Sequence, residues 1–276
     1  MTDKIKKAIS LGIDGSVAKL AMVAKLSIPS RTVFPVNINL FDNATDGGFR
    51  EGELITISGM SGQGKTTYTL NLAIRLSELS VPSLYFSYEM DAYYLHQSFL
   101  RIKNEEMLVY APVDLVSGKL DFIEKQIQEG ISKKAIKVVF IDHLHFLIDM
   151  KDSKNSSLFI GGIVRELKRM AVRNKIIIFL IAHTKKIGAE EVLGLSSVRD
   201  SGMIVAESDY VFLIERLKTK RDAIDDLIAQ TGKDEFTNKG RVSLAKNRRT
   251  GFLVYQDFFV ERGRFVEIDK TQDEPR

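Results

Sequence analysis

Short apolar runs alternate with longer amphipathic stretches along most of this chain. Residues 54–57 form an apolar run that leads into a glycine loop and then a helix-like stretch at 65–79. The alternation continues with strands expected at 83–87, 138–141 and 176–182, and helices expected from Asp91, over 119–132 and over 157–174. In the last of these, Ile160, Ile163, Val164, Leu167, Met170 and Ala171 fall on one stripe, and Arg165, Glu166, Lys168, Arg169 and Arg173 lie elsewhere. Such alternation favours an α/β fold, a mainly parallel sheet with helices on both faces. Beyond residues 210–215 comes a charged stretch, 218–239. Val242, Leu244, 252–260 and 265–268 then read as strands with a turn near Gly263, so the sheet is expected to end in antiparallel strands. Residues 1–41 read as an N-terminal extension with a short helix at 16–27, 42–268 as the core, and 269–276 as a polar tail.

Composition narrows the function classes. With 276 residues, 44% hydrophobic and 28% charged, the chain can bury one large core. The absence of cysteine excludes disulfides, cysteine-ligated zinc, iron–sulfur clusters and thiol nucleophiles, and four histidines leave little room for another metal site. A formal charge of +4 permits a polyanionic partner without demanding one. The polar, basic start and the interruptions at Gly12, Asp14 and Gly15 give neither a secretory signal nor a spanning helix, so a soluble cytoplasmic protein with no membrane partner is expected.

The sharpest chemical signal is Gly59-Met-Ser-Gly-Gln-Gly-Lys-Thr, a P-loop placed between an apolar run and a helix. Gly59, Gly62 and Gly64 let backbone N–H groups turn toward phosphate oxygens, and the following helix N-terminus adds a favourable dipole. Lys65 is expected to reach the terminal phosphates of ATP or another NTP, Thr66 to coordinate Mg2+, and Thr67 to complete the cradle. Asp142, ending the apolar run Val138-Val-Phe-Ile, supplies the carboxylate expected to hold Mg2+, directly or through water; an aspartate there is also suited to cap the next segment. Glu89, just past the second strand, is the candidate base for water, and it is equally placed to favour a helix N-terminus.

These residues resemble the RecA-like P-loop core of DnaB-family replicative helicases, including the helicase halves of phage and mitochondrial replicative proteins, over about 42–268. Gly47-Gly-Phe-Arg-Glu-Gly-Glu-Leu before the P-loop is shared with RecA and KaiC relatives. Tyr85-Phe-Ser-Tyr-Glu-Met resembles the family strand that carries the catalytic glutamate, which implies that role for Glu89. Val139-Phe-Ile-Asp-His-Leu-His-Phe resembles the Walker B segment, and Ile181-Ala-His-Thr the motif whose polar residue contacts the terminal phosphate, here His183. Leu195-Ser-Ser-Val-Arg-Asp-Ser-Gly with Glu207-Ser-Asp-Tyr-Val resembles the segment after a DNA-facing loop. Ala245-Lys-Asn-Arg-Arg-Thr-Gly resembles the lysine and arginine pair that enters a neighbour's ATP site, matching Lys246 and Arg248, with Arg249 a competing arginine.

The resemblance implies an ATP-driven DNA helicase or translocase that acts on single-stranded DNA in replication as a homo-oligomer, a hexamer with ATP between subunits, in a bacterial or phage setting. A loader or primase would act in trans, since only about forty residues precede the core. Lys151, Lys154, Lys185 and Lys186 are the candidate DNA-phosphate contacts, although each is equally readable as an ordinary solvated lysine. RNA remains open as the polymer. Two other classes stand beside the helicase: a KaiC-like regulatory ATPase and a recombination ATPase that coats DNA as a filament.

Overall fold

The computed structural model describes residues 32–103, 105–113, 115, 120–147, 156–185, 193–198, 201–218 and 236–268. The expected helix at 16–27, Lys151, Lys154, Lys186, most of the charged stretch and the tail at 269–276 lie outside these residues. The strands of the main sheet are β1 (Leu54–Gly59), β2 (Ser83–Ser87), β3 (Val109–Tyr110), β4 (Val138–Asp142), β5 (Ile177–His183), β6 (Tyr210–Lys218), β7 (Phe236–Asn247), β8 (Val254–Glu261) and β9 (Arg264–Glu267). Its helices are α1 (Asn39–Ala44), α2 (Lys65–Glu78), α3 (Ala92–Ile102), α4 (Leu120–Lys134), α5 (Ser156–Asn174) and α6 (Ser201–Glu207).

The nine strands lie in the order β9-β8-β7-β6-β1-β5-β4-β2-β3. Pairing is parallel from β6 through β3 and antiparallel from β6 to β9. The central strands read as unbroken apolar runs because both faces are covered. In β4, Val138 and Phe140 join one buried cluster while Val139 and Ile141 join the other; β5 divides in the same way into Ile177, Phe179 and Ile181 against Ile178, Leu180 and Ala182. The first face is covered by α2 and α3, and the second by the stripes of α4 and α5. On the first face Tyr85, Phe140 and Phe179 stack across three neighbouring strands, with ring centroids 5.4 and 4.9 Å apart.

Several boundaries differ from the sequence expectation. Phe34, Val36, Ile38 and Phe41 belong to the first buried cluster, so packing reaches N-terminal of residue 42. There the Asp42 carboxylate accepts from Val36 N–H and Ile38 N–H at 2.9 and 3.2 Å, a local closure that starts α1. β6 runs on to Lys218 and β7 begins at Phe236, so part of the charged stretch is paired strand, with Arg216 opposite Gly240 and Lys218 opposite Phe236. Phe252 and Leu253 precede β8 and are exposed. Asn247 bends the chain there, since its Nδ2 donates to Thr250 Oγ1 and Phe252 O while its Oδ1 accepts from Arg249 N–H and Thr250 N–H.

Candidate functional site

Parallel strands point their C-terminal ends the same way, so the loops after β1, β2, β4 and β5 converge on one crevice. The P-loop leaves β1 at Gly59, where an added Cβ would sit 2.4 Å from Ile214 O on β6. Only glycine permits that approach. Gly62 and Gly64 hold φ of 76° and 93°, a left-handed backbone that glycine adopts without cost. α2 starts at once with Lys65, so its first N–H groups face the loop.

Lys65 is buried, donates from Nζ to Met60 O at 2.9 Å, and has its pKa lowered chiefly by burial, with Glu89 and Asp142 opposing. Thr66 Oγ1 donates to Asp142 Oδ2 at 2.7 Å. Burial pushes the Asp142 carboxyl up to about 6, against the Thr66 hydrogen bond, and nearby Glu89 adds to the rise. Its second oxygen, Oδ1, is buried with no hydrogen-bond partner among the described residues. A hydroxyl beside a carboxylate with one oxygen unused is a hard, oxygen-only donor pair, which fits Mg2+ held partly through water.

Glu89 stands on a turn fixed by Ser87, whose hydroxyl donates to Met90 O at 2.8 Å and accepts from Met90 N–H. Tyr88 N–H donates to Asp142 O at 2.7 Å, tying this turn to the end of β4. The Glu89 side chain is 39% exposed and reaches His143 Nε2 at 3.5 Å and His183 Nε2 at 3.6 Å. His183 ends β5 directly beside Gly59 of β1. The two imidazoles meet edge to face at 4.3 Å. Burial, with the Lys65 charge next, pulls His183 down to about 4, and burial with His145 does the same to His143. Both rings are therefore neutral near pH 7.

Two participants escaped the sequence reading. His143 follows Asp142 in the Walker B segment, and the Asp-His-Leu-His string was its only local signal. The Tyr85 hydroxyl shares a 2.8 Å hydrogen bond with Thr69 and donates to Asp142 Oδ2 at 3.4 Å, linking the middle of α2 to the carboxylate.

Thr67 lines a cavity of about 190 Å3 beside the P-loop, together with Gly62, Gly64, the apolar Ile214, Val260 and Phe265, and the polar Arg216, Asn238 and Lys239. Lys185 is exposed just after β5, its N–H donating to Ser197 O at 2.8 Å.

Lys246 and Arg248 lie far from the crevice. Lys246 pairs with Val211, which pairs with Thr56, and Arg248 N–H donates to Asp209 O, placing both near the start of β1. The P-loop lies at the other end of that strand, roughly 10–17 Å along it at 3.3 Å per residue and two strands across. Lys246 Nζ donates to Val205 O at 2.5 Å and Ser208 O at 2.7 Å, capping the end of α6. Arg248 is half exposed, with one long ion pair to Asp209 at 3.4 Å and a hydrogen bond to Ala206 O. Arg249 turns inward instead, bonding Glu53, Thr45 O and Gly48 O. In the Glu207-Ser-Asp segment, Ser208 bonds Thr56 at 2.7 Å, and Asp209 accepts from Leu54 N–H and Lys168, so this stretch ties α6 and β6 to β1.

Comparison with known proteins agrees with this arrangement. The family model described as "AAA domain" matches residues 42–189. The replicative DNA helicase DnaB of Mycoplasma pneumoniae is 29% identical over 208 residues, 62% of this chain and 44% of that protein. The DnaB of Helicobacter pylori strain 26695 is 26% identical over 257 residues, 79% of this chain and 51% of its own length. The chain thus spans about half the length of these curated relatives. Among solved structures, that of a DnaB-like replicative helicase superposes with a TM-score of 0.69 at 18% identity, covering 96% of this chain and 71% of that one, which shows the shared fold. With a P-loop, a buried strand-end aspartate and a glutamate converging on one crevice, the chain belongs to the AAA domain family and carries an ATP-hydrolysing P-loop core of the type found in DnaB replicative helicases.

Proposed function

We propose that this chain is the motor of a ring-forming DNA helicase or translocase, with ATP bound between subunits and single-stranded DNA passing along the assembly. The observation that carries the reading is the separation of Lys246 and Arg248 from their own P-loop. A half-exposed arginine at the far end of the sheet serves a nucleotide only in a neighbouring copy, so full activity requires assembly. The similarity to DnaB proteins supports replication as the setting and a hexamer as the ring. A loader or primase in trans belongs to the same reading.

In this mechanism Lys65 and the P-loop N–H groups hold the β- and γ-phosphates, and Thr66 and Asp142 hold Mg2+. The cation supplies charge neutralisation for the phosphates. Glu89 accepts a proton from the attacking water, His183 meets the terminal phosphate as a neutral hydrogen-bond partner, and the neighbour's Arg248 stabilises developing charge. The nucleoside occupies the cavity between the P-loop and the C-terminal strands, its base against Ile214, Val260 and Phe265. Lys151, Lys154, Lys185 and Lys186 are proposed to meet DNA phosphates.

The test is steady-state ATP hydrolysis with and without single-stranded DNA, corrected with Lys65→Ala, followed by strand displacement on a forked duplex. Stimulation with directional displacement supports the helicase. DNA-independent turnover refutes it in favour of a regulatory ATPase, and binding without displacement points to a filament. Mixing Lys65→Ala with Arg248→Ala chains tests the shared site: a Lys65→Ala neighbour supplies the arginine that the Arg248→Ala P-loop lacks, so activity should reappear in the mixture. No recovery would overturn action in trans.

A further inference from the structure

We infer that Glu89, His143 and His183 form a binding site for a borderline-soft divalent transition-metal ion, zinc by its donor set, separate from the magnesium position at Thr66 and Asp142. Three neighbouring strands each deliver one ligand to the same point: β2 through its turn to Glu89, β4 to His143 and β5 to His183. Glu89 Oε1 lies 3.5 and 3.6 Å from the two imidazole Nε2 atoms, and all three ligand atoms fall within 4.8 Å of one another. Four-coordinate zinc with bonds of about 2.0–2.1 Å spaces its donors by about 3.3 Å, so both carboxylate–imidazole spacings already match, and the two imidazole donors lie within 4.8 Å of each other.

The backbone under these side chains is fixed. The Ser87–Met90 hydrogen bonds hold the turn carrying Glu89, His183 is paired with Gly59 at the end of β5, and the His143 ring, one residue past β4, meets the His183 ring at 4.3 Å. Two imidazoles and a carboxylate leave a fourth position free, and the 39% exposure of Glu89 gives an ion its way in. Magnesium prefers oxygen donors and takes the Thr66 and Asp142 position, whereas imidazole selects a later transition metal, so the two ions do not compete for ligands. Two of the chain's four histidines are thereby accounted for, which composition alone gave no reason to expect.

An ion held here occupies the Glu89 oxygen that would take the proton from water, so zinc inhibits hydrolysis. That consequence rests on Glu89 being the base; the binding does not.

The experiment uses the untagged full chain without nucleotide or magnesium. Zinc affinity is measured by competition with a colorimetric chelator, and geometry by the visible absorption of the Co2+ form. The expected result is one ion per chain with the intense bands of a four-coordinate site. His143→Gln and Glu89→Gln should each weaken binding by at least about 10–100-fold, the loss typical of removing even an outer-shell partner of a ligand. Thr66→Ala and His96→Gln should leave binding unchanged. Wild-type affinity in either ligand variant that folds, or loss of binding in Thr66→Ala, overturns the site. Since Glu89 is partly exposed, Glu89→Gln keeps the test decisive if His143→Gln misfolds. Turnover of the wild type should fall on adding zinc and return with chelator; binding without inhibition overturns the consequence and the assignment of Glu89 as base.

Discussion

Adjacent arginines with opposite fates allow a stringent test of the structure. Arg249 is 17% exposed and pairs with a Glu53 side chain only 9% exposed, while also donating to Thr45 O at 2.5 Å and Gly48 O at 3.1 Å. Removing one partner of a buried pair leaves the other charge desolvated, at a cost of about 3–5 kcal/mol. Glu53 keeps Arg50 N–H at 2.7 Å and the Tyr210 hydroxyl at 3.4 Å, which argues for the low end, about 3 kcal/mol. For a domain of this size that corresponds to a fall in Tm of roughly 6–12 °C. Arg248→Ala removes a half-exposed group with a 3.4 Å ion pair, and it should cost less than about 1 kcal/mol while lowering turnover sharply. The assay is calorimetric melting of both variants beside steady-state hydrolysis. An Arg249→Ala protein that melts like wild type, or an Arg248→Ala protein that melts as low as Arg249→Ala, would refute the division into an anchoring and a reaching arginine.

Asp142→Asn should stabilise the nucleotide-free fold while abolishing Mg2+-dependent turnover. Between the ordinary value of 3.8 and about 6 the folded protein holds a proton that the unfolded chain has lost, so stability falls as pH rises through that window. At about 1.36 kcal/mol per pH unit the penalty on the ionised form is at most about 3 kcal/mol. The difference in melting between variant and wild type should vanish near pH 4 and be complete by pH 7; a difference that does not change with pH would contradict burial as its cause. Gly59→Ala forces a Cβ to 2.4 Å from Ile214 O and should cost about 1–3 kcal/mol, whereas Gly62→Ala meets no atom within 4 Å and should cost about 1–2 kcal/mol through its left-handed φ alone. Comparing denaturant midpoints decides between them, and a larger loss for Gly62→Ala would reverse the reasoning. Specific ATPase activity should rise with protein concentration if a neighbour completes the site, and a value constant on dilution would argue against a shared site.

Chemistry that depends on adjacent residues was legible in the sequence. The P-loop must be contiguous to wrap a phosphate, and strand-end positions single out Asp142 and Glu89, which the fold brings to one crevice while their chemical roles belong to the proposal. The closeness of Glu89, His143 and His183 was not legible, because it depends on β5 and β4 lying between β1 and β2 in the sheet, a long-range order that no local pattern encodes. Periodicity also misplaced Phe252 and Leu253 within a strand. Asn247 overrides their β-propensity by bonding backbone and side-chain groups of the turn, with Gly251 at φ 76° completing it. α1 was missed because six residues carry too little periodicity to register, and its start is set by one carboxylate bonding backwards.

On the proposed reading, the electrostatics of the crevice give a reason why a chain with a complete-looking set of phosphate ligands would gain from a neighbour. Burial keeps His143 and His183 neutral near pH 7, so neither ring brings positive charge to the phosphates. Lys65 then stands as the P-loop's own cation, and burial weakens even its hold on a proton. Transfer of a phosphoryl group spreads negative charge over oxygens that one lysine and a magnesium ion only partly neutralise. Lys246 and Arg248 carry the charge type required, yet the pairing of β1 with β6 and of β6 with β7 holds them at the opposite end of the sheet. Lys246 is held by carbonyls at the end of a short helix, whereas the half-exposed Arg248 keeps one long ion pair that its guanidinium can exchange for phosphate at little cost. On the proposed reading, hydrolysis therefore waits on assembly because the sheet keeps the missing charge out of reach of its own nucleotide.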